Sequence, residues 1–441
     1  MRVKRLVPND VKEVTKRLSE SGFDVWIVGG ALRDCILGRT PKDWDLATDA
    51  TPPRILELFS HVAPIGIRHG TVQVLTEQRG IEVTTTPGPG LEGILADLGR
   101  RDFTVNALAL AYPGWELLDP FGGEKDLVEL RLRAVGDARS RFREDPLRTL
   151  RAGRFMSTYG FAIEQTTFEA IEKEAEGLER VAQERIRDEI LKMLLGDRVI
   201  EAFDSMRRAG VLSRVLPELL DWPGKELDLS HPLDIYHHSL CAVHYSPPRI
   251  RVRLAALFHD MGKPRVRRLR AEDLQFSGCC EASALIAFDV MTRWCMSNKE
   301  IREVRILVSN HLPREAEEWS DAALRRLIAR VGPNLLEDLL DLAAADRLAM
   351  ANHEASYERM GVLRSRIYEQ LRRGLPLRAA DLAVNGEDVM RILALEPGPL
   401  VGKILGFLHG KVLDAPDLNE RKILMDFLEK EFHIEDLSAL Y

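Results

Sequence analysis

The spacing of apolar residues changes character near Gly136. Before it, short β-branched runs alternate with segments of helical period. Val11 to Glu20 predicts a helix, Asp24 to Val28 a strand, and Ala31 to Leu37, after Gly29-Gly30, a second helix. Trp44 to Ala47 predicts a strand and Pro52 to Phe59 a helix. Thr71 to Thr76 and Ile81 to Thr85 predict a strand pair separated by Gln78-Arg79-Gly80. From Arg139 onward the β-branched alternation fades. Apolar residues then recur three and four apart, as at Leu147 and Leu150 and at Ile186, Ile190, Met193 and Leu194. The prediction is an α+β chain: a head at 1–136 with a mixed sheet and helices, then an all-helical neck (137–200), body (201–350) and tail (351–441). Trp222-Pro223-Gly224, Gly332-Pro333 and Glu396-Pro397-Gly398-Pro399 interrupt the helical part.

Composition narrows the class. With 441 residues, 45% hydrophobic and 30% charged, the chain reads as a soluble globular protein of several modules. The N-terminal stretch has no apolar core like a signal peptide's, and no apolar run approaches the roughly 18 residues that cross a bilayer, so a cytoplasmic protein without membrane association is expected. Cys35, Cys241, Cys279, Cys280 and Cys295 make no CxxC pair, as befits free thiols in a reducing compartment. The net charge of −7 argues against indiscriminate nucleic-acid binding but leaves room for a local basic groove.

Candidate chemistry begins at Val28-Gly29-Gly30-Ala31-Leu32-Arg33-Asp34. A strand that runs through two glycines into a helix lets backbone and helix N–H groups approach a phosphate, and Arg33 adds charge. Asp43 and Asp45 follow. Residues i and i+2 of a strand share a face, so the two carboxylates project together and suit Mg²⁺, whose ligands are oxygens. An isolated Asp-x-Asp would read by default as a turn cap at Asp43 and a solvent-facing residue at Asp45; the Gly29-Gly30 helix start a dozen positions upstream turns the reading toward the metal pair. Glu82, among β-branched neighbours, is either a third carboxylate or a solvent-facing strand residue.

GGALRD…KDWDLAT, IGIRHGTV (Ile65 to Val72), EVTT (Glu82 to Thr85), RRDFTVNALA (Arg100 to Ala109), LLDPFGG (Leu117 to Gly123) and RAVGDARSRFREDPLRTLRAGRF (Arg133 to Phe155) occur in that order. Together they closely resemble class II tRNA nucleotidyltransferases, the bacterial CCA-adding group of the polymerase-β-like superfamily. The resemblance covers the first half densely and continues loosely through Glu184-Arg185-Ile186. It implies a polymerase-β-like head and transfer of nucleotides to a tRNA 3′ end without a nucleic-acid template. Asp43 and Asp45 would hold two Mg²⁺ ions, with Glu82 as a third carboxylate. Gly29, Gly30, Arg33, Arg101, Asp102 and Asn106 would bind the nucleotide's phosphates and sugar. Asp145 and Arg148 would read the base, with Arg151 and Arg154 lining the same site. The tRNA acceptor end and elbow would be held by the helical part.

The chemistry of reading fits these residue types. Cytosine offers an N4 amino donor that Asp145 can accept from, while its N3 and O2 acceptors suit the donor fork of Arg148. The same residues also read locally, as a helix cap before Pro146 and an i,i+3 surface ion pair. In full CCA-adding members a long flexible loop separates EVTT from RRDFT. Here Glu82 to Arg100 spans 18 positions (100 − 82) and begins Thr86-Pro87-Gly88-Pro89-Gly90, a turn by composition. That predicts addition of CC from CTP; full CCA addition, which would take ATP as well, and A-addition are the alternatives.

His238, Phe258-His259-Asp260 and Asp346 resemble the HD phosphohydrolase pattern often attached to this family. Phe276-Ser277-Gly278-Cys279-Cys280 places Cys279 where a histidine is usual, and thiolate suits Mg²⁺ or Mn²⁺ poorly. A packing role for these residues is therefore expected. Basic clusters at Arg131, Arg133, Arg139, Arg141 and Arg143, at Arg249, Arg251 and Arg253, and from Lys263 to Arg270 could track RNA phosphates or form solvated helix faces. A poly(A) polymerase, an HD phosphohydrolase with an inactive head and a non-catalytic RNA-binding protein are the rival readings.

Overall fold

Seven strands form one mixed sheet in the computed structural model, which describes residues 2–67, 70–220, 234–263, 266, 278–350, 353–430 and 432. They are β1 (Val25–Val28), β2 (Asp45–Thr48), β3 (Val62–Ala63), β4 (Thr71–Leu75), β5 (Gly80–Thr85), β6 (Ala109–Tyr112) and β7 (Leu117–Leu118), ordered β3-β4-β5-β2-β1-β6-β7. β1 runs antiparallel to β2 and β6, whereas β2 and β5 are parallel. All four residues of β1 are buried, as suits an apolar strand with cover on both faces. The predicted strands agree with these to within a residue or two. β3, β6 and β7 were not predicted.

The chain divides into two compact units, Met1–Pro217 and Glu218–Tyr441. In the first, helices α1 (Arg2–Leu6), α2 (Asn9–Glu20), α3 (Gly30–Ile36), α4 (Pro52–Leu58), α5 (Gly90–Gly99) and α6 (Gly123–Val128) accompany the sheet. There follow α7 (Ala138–Glu144), α8 (Leu147–Tyr159), α9 (Gln165–Glu174), α10 (Gln183–Leu194), α11 (Val199–Arg208) and α12 (Leu212–Val215). A two-residue strand, Ala162–Ile163, pairs with Arg131–Leu132 and interrupts this helical run. α8 packs against α10 and α11. Phe103 of RRDFT meets Phe142 at 6.5 Å and Phe155 at 5.5 Å between ring centres. Those fully buried rings fix the RRD segment against α7 and α8.

Where composition predicts only a turn after EVTT, the chain makes a short turn and then the helix α5. The turn closes by a 2.7 Å hydrogen bond from the Thr86 hydroxyl to the Gly88 carbonyl. A Cβ on Gly93 would lie 1.7 Å from that carbonyl oxygen, so only glycine lets the turn fold back on the helix.

The second unit is helical throughout its described residues: α13 (Ile235–Tyr245), α14 (Ile250–Phe258), α15 (Cys279–Arg293), α16 (Asn298–Ser309), α17 (Asp321–Val331), α18 (Leu336–Leu348), α19 (His353–Arg372), α20 (Gly386–Leu393), α21 (Pro399–Asp414) and α22 (Arg421–Lys430), with single-turn 3₁₀ segments between some of them. α20 to α22 close their own apolar core around Val389, Ile404, Leu408 and Leu424. The breaks at Gly332 and at Pro397-Gly398 separate helices as predicted; Trp222-Pro223-Gly224 lies outside the described residues.

Candidate active site

β1 ends at Val28, and Gly29, with φ +76°, turns the chain into α3. A Cβ on Gly29 would stand 2.9 Å from Arg101 Nη1 and 3.3 Å from Asp45 Oδ2. Glycine thus leaves room for a cation and a carboxylate to converge over the end of β1. Asp45 opens β2, in register with Val28 on one side and Glu82 on the other. Register partners share a face of the sheet, so Glu82 stands beside Asp45. Asp43 is exposed and lies just before β2, and Trp44 between the two aspartates is buried. The Asp43 charge is near enough to act on the Asp45 carboxyl.

Burial above all, and then the charge of Glu82, push the Asp45 carboxyl up to about 6; Arg101 opposes the rise and Asp43 adds to it. A partly buried carboxylate under repulsion from two others is short of positive charge. Such a set fits a divalent cation.

Beside it lies a cavity of about 460 Å³, lined by Gly29, Gly30, Arg33, Asp45, Arg100, Arg101, Asp102, Asn106, Asp145, Arg148, Arg151 and Arg154. Six arginines and three aspartates line it; Arg33, Arg101, Arg148 and Arg154 also pair with Asp34, Asp97, Glu144 and Glu189 outside the lining, and the wall still presents guanidinium donors of the kind that bind phosphate. Every nucleotide-binding residue expected from the sequence lines this one cavity. Asp43 and Glu82 do not line it. Arg100, next to the expected Arg101, was missed; its signal was the Arg-Arg doublet itself.

The lining is built in three tiers. Arg33, 8% exposed, donates to Asn106 Oδ1 at 2.7 Å and to the Tyr159 hydroxyl at 2.5 Å, and its guanidinium lies 4.4 Å from the Tyr159 ring centre. Tyr159, the last residue of α8, carries no motif that marks it in the sequence. Asp102 accepts from the Phe103 N–H, the Asn106 amide and Arg151 Nε at 2.8 to 2.9 Å. Burial raises the pKa of Asp102, but the Arg151 guanidinium and these hydrogen bonds outweigh it and hold the carboxyl below its usual value. Asp102 is therefore engaged by protein groups and orients Asn106 and Arg151. Arg154 is ion-paired with buried Glu189 at 2.7 Å.

The third tier is the hinge between α7 and α8. Asp145 is extended (φ −142°, ψ 97°) and precedes α8 instead of sitting on its face. It pairs with Arg185 of α10, while Arg148 pairs with Glu144 and donates to the Arg100 and Arg141 carbonyls. The local i,i+3 ion pair is replaced by these partners, because the extended hinge turns Asp145 away from the helix.

The chain is similar to known proteins along most of its length. Family models described as the poly A polymerase head domain, a probable RNA- and SrmB-binding site of polymerase A, and a putative tRNA nucleotidyltransferase domain 2 match residues 25–88 with 91–133, 160–222 and 275–428. A CCA-adding enzyme of Enterococcus faecalis is 29% identical over 96% of this chain and 97% of its own. A CC-adding tRNA nucleotidyltransferase of Thermus thermophilus is 36% identical over 87% of this chain and 88% of its own. The chain belongs to the tRNA nucleotidyltransferase family. The solved structure of a Bacillus stearothermophilus CCA-adding enzyme in complex with CTP superposes with a TM-score of 0.72 at 28% identity, over 94% of this chain and 95% of that one. The protein is thus an enzyme of tRNA 3′-end nucleotidyl transfer, with the polymerase-type head expected from its motifs.

The second unit of this tRNA nucleotidyltransferase gathers the HD-like residues. His238 Nε2 lies 2.9 Å from Asp346 Oδ1 and 3.2 Å from His259 Nε2, and Asp260 Oδ2 is 3.5 Å from both imidazoles. Ligand atoms of His238, His259 and Asp346 all lie within 4.8 Å of one another, near enough for one ion. Lys263 donates to Asp260 at 2.6 Å. Burial opposes protonation of His259, yet the Asp260 and Asp346 charges outweigh it and raise the ring to about 9. The histidines in turn hold Asp346 well below its usual value against burial. Sequence reading missed His311, whose ring centre is 5.6 Å from that of His259 and whose Nδ1 lies 3.3 Å from Cys280 Sγ. Cys279 is buried at the start of α15, outside that ion-sized group; Phe276 and Ser277 lie outside the described residues.

The basic clusters are largely consumed within the fold. Arg131 and Arg133 pair with Asp126, Arg139 and Arg143 with Glu174, and Arg141 with Glu144. Arg249 pairs with Asp338 and Asp341, Arg251 with Asp338 and Glu303, and buried Arg253 donates to the Ser246 carbonyl. Lys263 is ion-paired to buried Asp260, and most of the stretch from it to Arg270 lies outside the described residues. Among the described residues no helix is long and apolar enough to cross a membrane.

Proposed function

We propose that this enzyme adds C residues to the tRNA 3′ terminus from CTP and stops after CC. The observation that carries the CC limit is the connection from β5 to α5, where four residues, Thr86 to Pro89, replace any long flexible segment. The switch from C to A asks a pocket to accept a larger base whose donor and acceptor are displaced. A ligand shifts such an equilibrium only by its differential affinity for the two states. A closed turn pinned by Gly88 and Gly93 offers no second arrangement to hold. The 36% identity to a CC-adding relative points the same way. The CCA-adding relatives favour the alternative, addition of the full CCA with ATP in the last step.

In this reading Asp43 and Asp45, with Glu82 beside them, would hold two Mg²⁺ ions. When bound, these supply charge stabilisation at the attacking and leaving oxygens. Arg33, Arg101 and Asn106 bind the triphosphate and sugar against the Gly29-Gly30 backbone. Asp145 accepts from cytosine N4 and Arg148 donates to N3 and O2, with Arg151 and Arg154 behind them. The tRNA 3′-hydroxyl oxygen bonds to the α-phosphorus as the bond to the β-phosphate oxygen breaks, and pyrophosphate leaves. The helical body and tail hold the tRNA elbow.

Incubating end-trimmed tRNA with each labelled triphosphate singly, and with CTP and ATP together, tests the reading. CTP alone is expected to extend the tRNA by two residues, and adding ATP to change nothing. Incorporation of ATP alone into a poly(A) tail, or no incorporation of CTP, would overturn it.

A further inference from the structure

Arg148 and Asp145 are held by different means. Arg148 sits in the first turn of α8 and donates to the Arg100 carbonyl at 2.7 Å, to the Arg141 carbonyl at 3.1 Å and to Glu144 at 3.3 Å. Asp145, in the extended hinge, has no rigid element under its side chain. Its Oδ1 accepts only a long, 3.3 Å bond from the Leu147 N–H, and Oδ2 accepts from Arg185 Nη2 at 2.8 Å. Arg185 reaches it from the first turn of α10, 40 residues along the chain. The same helix supplies Glu189, ion-paired to Arg154 on the pocket wall. α10 therefore grips the lining of the cavity at two points, and one of them is the carboxylate that meets the base.

We propose that Arg185 is a positioning residue that pins the Asp145 carboxylate at the place a pyrimidine N4 reaches, and so sets the preference of the pocket for cytosine. This rests on the base-reading assignment given above for Asp145. With Oδ2 engaged by a charge-assisted bond, Oδ1, which takes only the long bond from the Leu147 N–H, keeps acceptor capacity for a base in the cavity that Asp145 lines. Cytosine N4 donates to it. Uracil presents its O4 acceptor there and is repelled. Adenine N6 is displaced outward by the larger ring, so Asp145 could follow it only by leaving Arg185. The pin thus works against both wrong bases, by like polarity in one case and by distance in the other.

The test uses the full-length enzyme and a tRNA ending in the first C, with CTP, UTP and ATP each measured alone for the parent, Arg185→Ala, Arg185→Lys and Asp145→Asn. Arg185 is half exposed, and thermal melting verifies that its variants fold. Arg185→Ala is expected to lower kcat/KM for CTP about tenfold, mainly through KM, and to narrow the CTP-to-ATP ratio by about as much. Arg185→Lys, which keeps one charged donor, restores part of that ratio. If Arg185→Ala lowers all three triphosphates equally, or leaves all ratios at parental values, while Asp145→Asn changes them, then Arg185 does not position the reader and the base-reading assignment survives. If Asp145→Asn also leaves every ratio unchanged, that assignment fails and the role of Arg185 falls with it.

Discussion

Two clusters of charge, one in each unit, are made of similar parts and behave oppositely. In the head, six arginines face three aspartates around an open cavity, and Asp45 is pushed up to about 6. In the helical body, His238, His259, Asp260, Lys263 and Asp346 neutralise one another. There the carboxyls fall below their usual values and His259 rises to about 9. At Asp45 the head holds a carboxylate that its neighbours leave short of positive charge, while the body's carboxylates are answered by its own histidines and Lys263. Burial alone does not separate them, since both contain buried ionisable groups. The direction in which a carboxyl moves reports whether a partner is in place: in the head Asp45 rises while Asp102, held by Arg151 and Asn106, falls, whereas in the body Asp260 and Asp346 both fall.

The largest effect that would break this contrast lies in the head. Asp43→Ala or Asp45→Ala is expected to reduce nucleotide incorporation by about 10³-fold or more while tRNA binding persists, since the proposed cation site would lose a ligand. Near-normal incorporation with Mg²⁺ would remove the cation site. Next in size, Arg148→Ala should reduce the preference for CTP over UTP by about 10- to 100-fold with little change in tRNA affinity. An unchanged ratio would leave Arg148 as a brace between Glu144 and the Arg100 carbonyl.

The body should respond in stability instead. His259→Ala leaves Asp260 and Asp346 short of a partner and is expected to cost about 3 kcal/mol of folding stability, with C-addition intact below the new melting temperature. Its pH dependence has a definite sign. The folded value of about 9 lies above the ordinary histidine value, so the stabilisation is full below about pH 6.5 and is lost as pH rises through about 9. Melting temperatures across that range should fall in the parent and change less in the variant. The purified protein should also show little phosphodiesterase or phosphatase activity with Mn²⁺, Ni²⁺ or Mg²⁺. Robust activity that disappears in His259→Ala would make the body a second catalytic site.

The smallest effect returns to the head. Asp45→Asn removes a carboxylate that its surroundings disfavour, so without divalent cations at pH 7.5 it should raise the melting temperature by about 2 °C. Parental Asp45, raised in the folded state, lowers stability as pH climbs through about 4 to 6 and keeps it lower above. Added Mg²⁺ should stabilise the parent more than the variant.

What the sequence made legible was what local pattern can carry. Gly29-Gly30, the Asp43/Asp45 alternation and the RRD and EDPLR runs each sit within a few residues of their own turn or strand, and the cavity gathers most of them as expected. Glu82 was undecided, because its neighbour depends on β5 pairing with β2, a matter of strand order that no local period reveals. The pairing of Asp145 with Arg185 and of Arg249 with Asp338 joins residues 40 and 89 positions apart. From the sequence, the arginine clusters looked available to RNA, since most of their acidic partners lie on other elements. His311 had no spacing to tie it to His259 until α14 and α16 packed together.

The most direct test of the account takes a tRNA already ending in CC and supplies ATP alone, with product length resolved to one nucleotide. A pocket fixed on cytosine, with the short β5–α5 turn and no second arrangement, predicts no extension. In the same preparation, CTP extends a tRNA lacking those residues by two. Efficient addition of one A at a rate like that for CTP would contradict the account and make this a full CCA-adding enzyme.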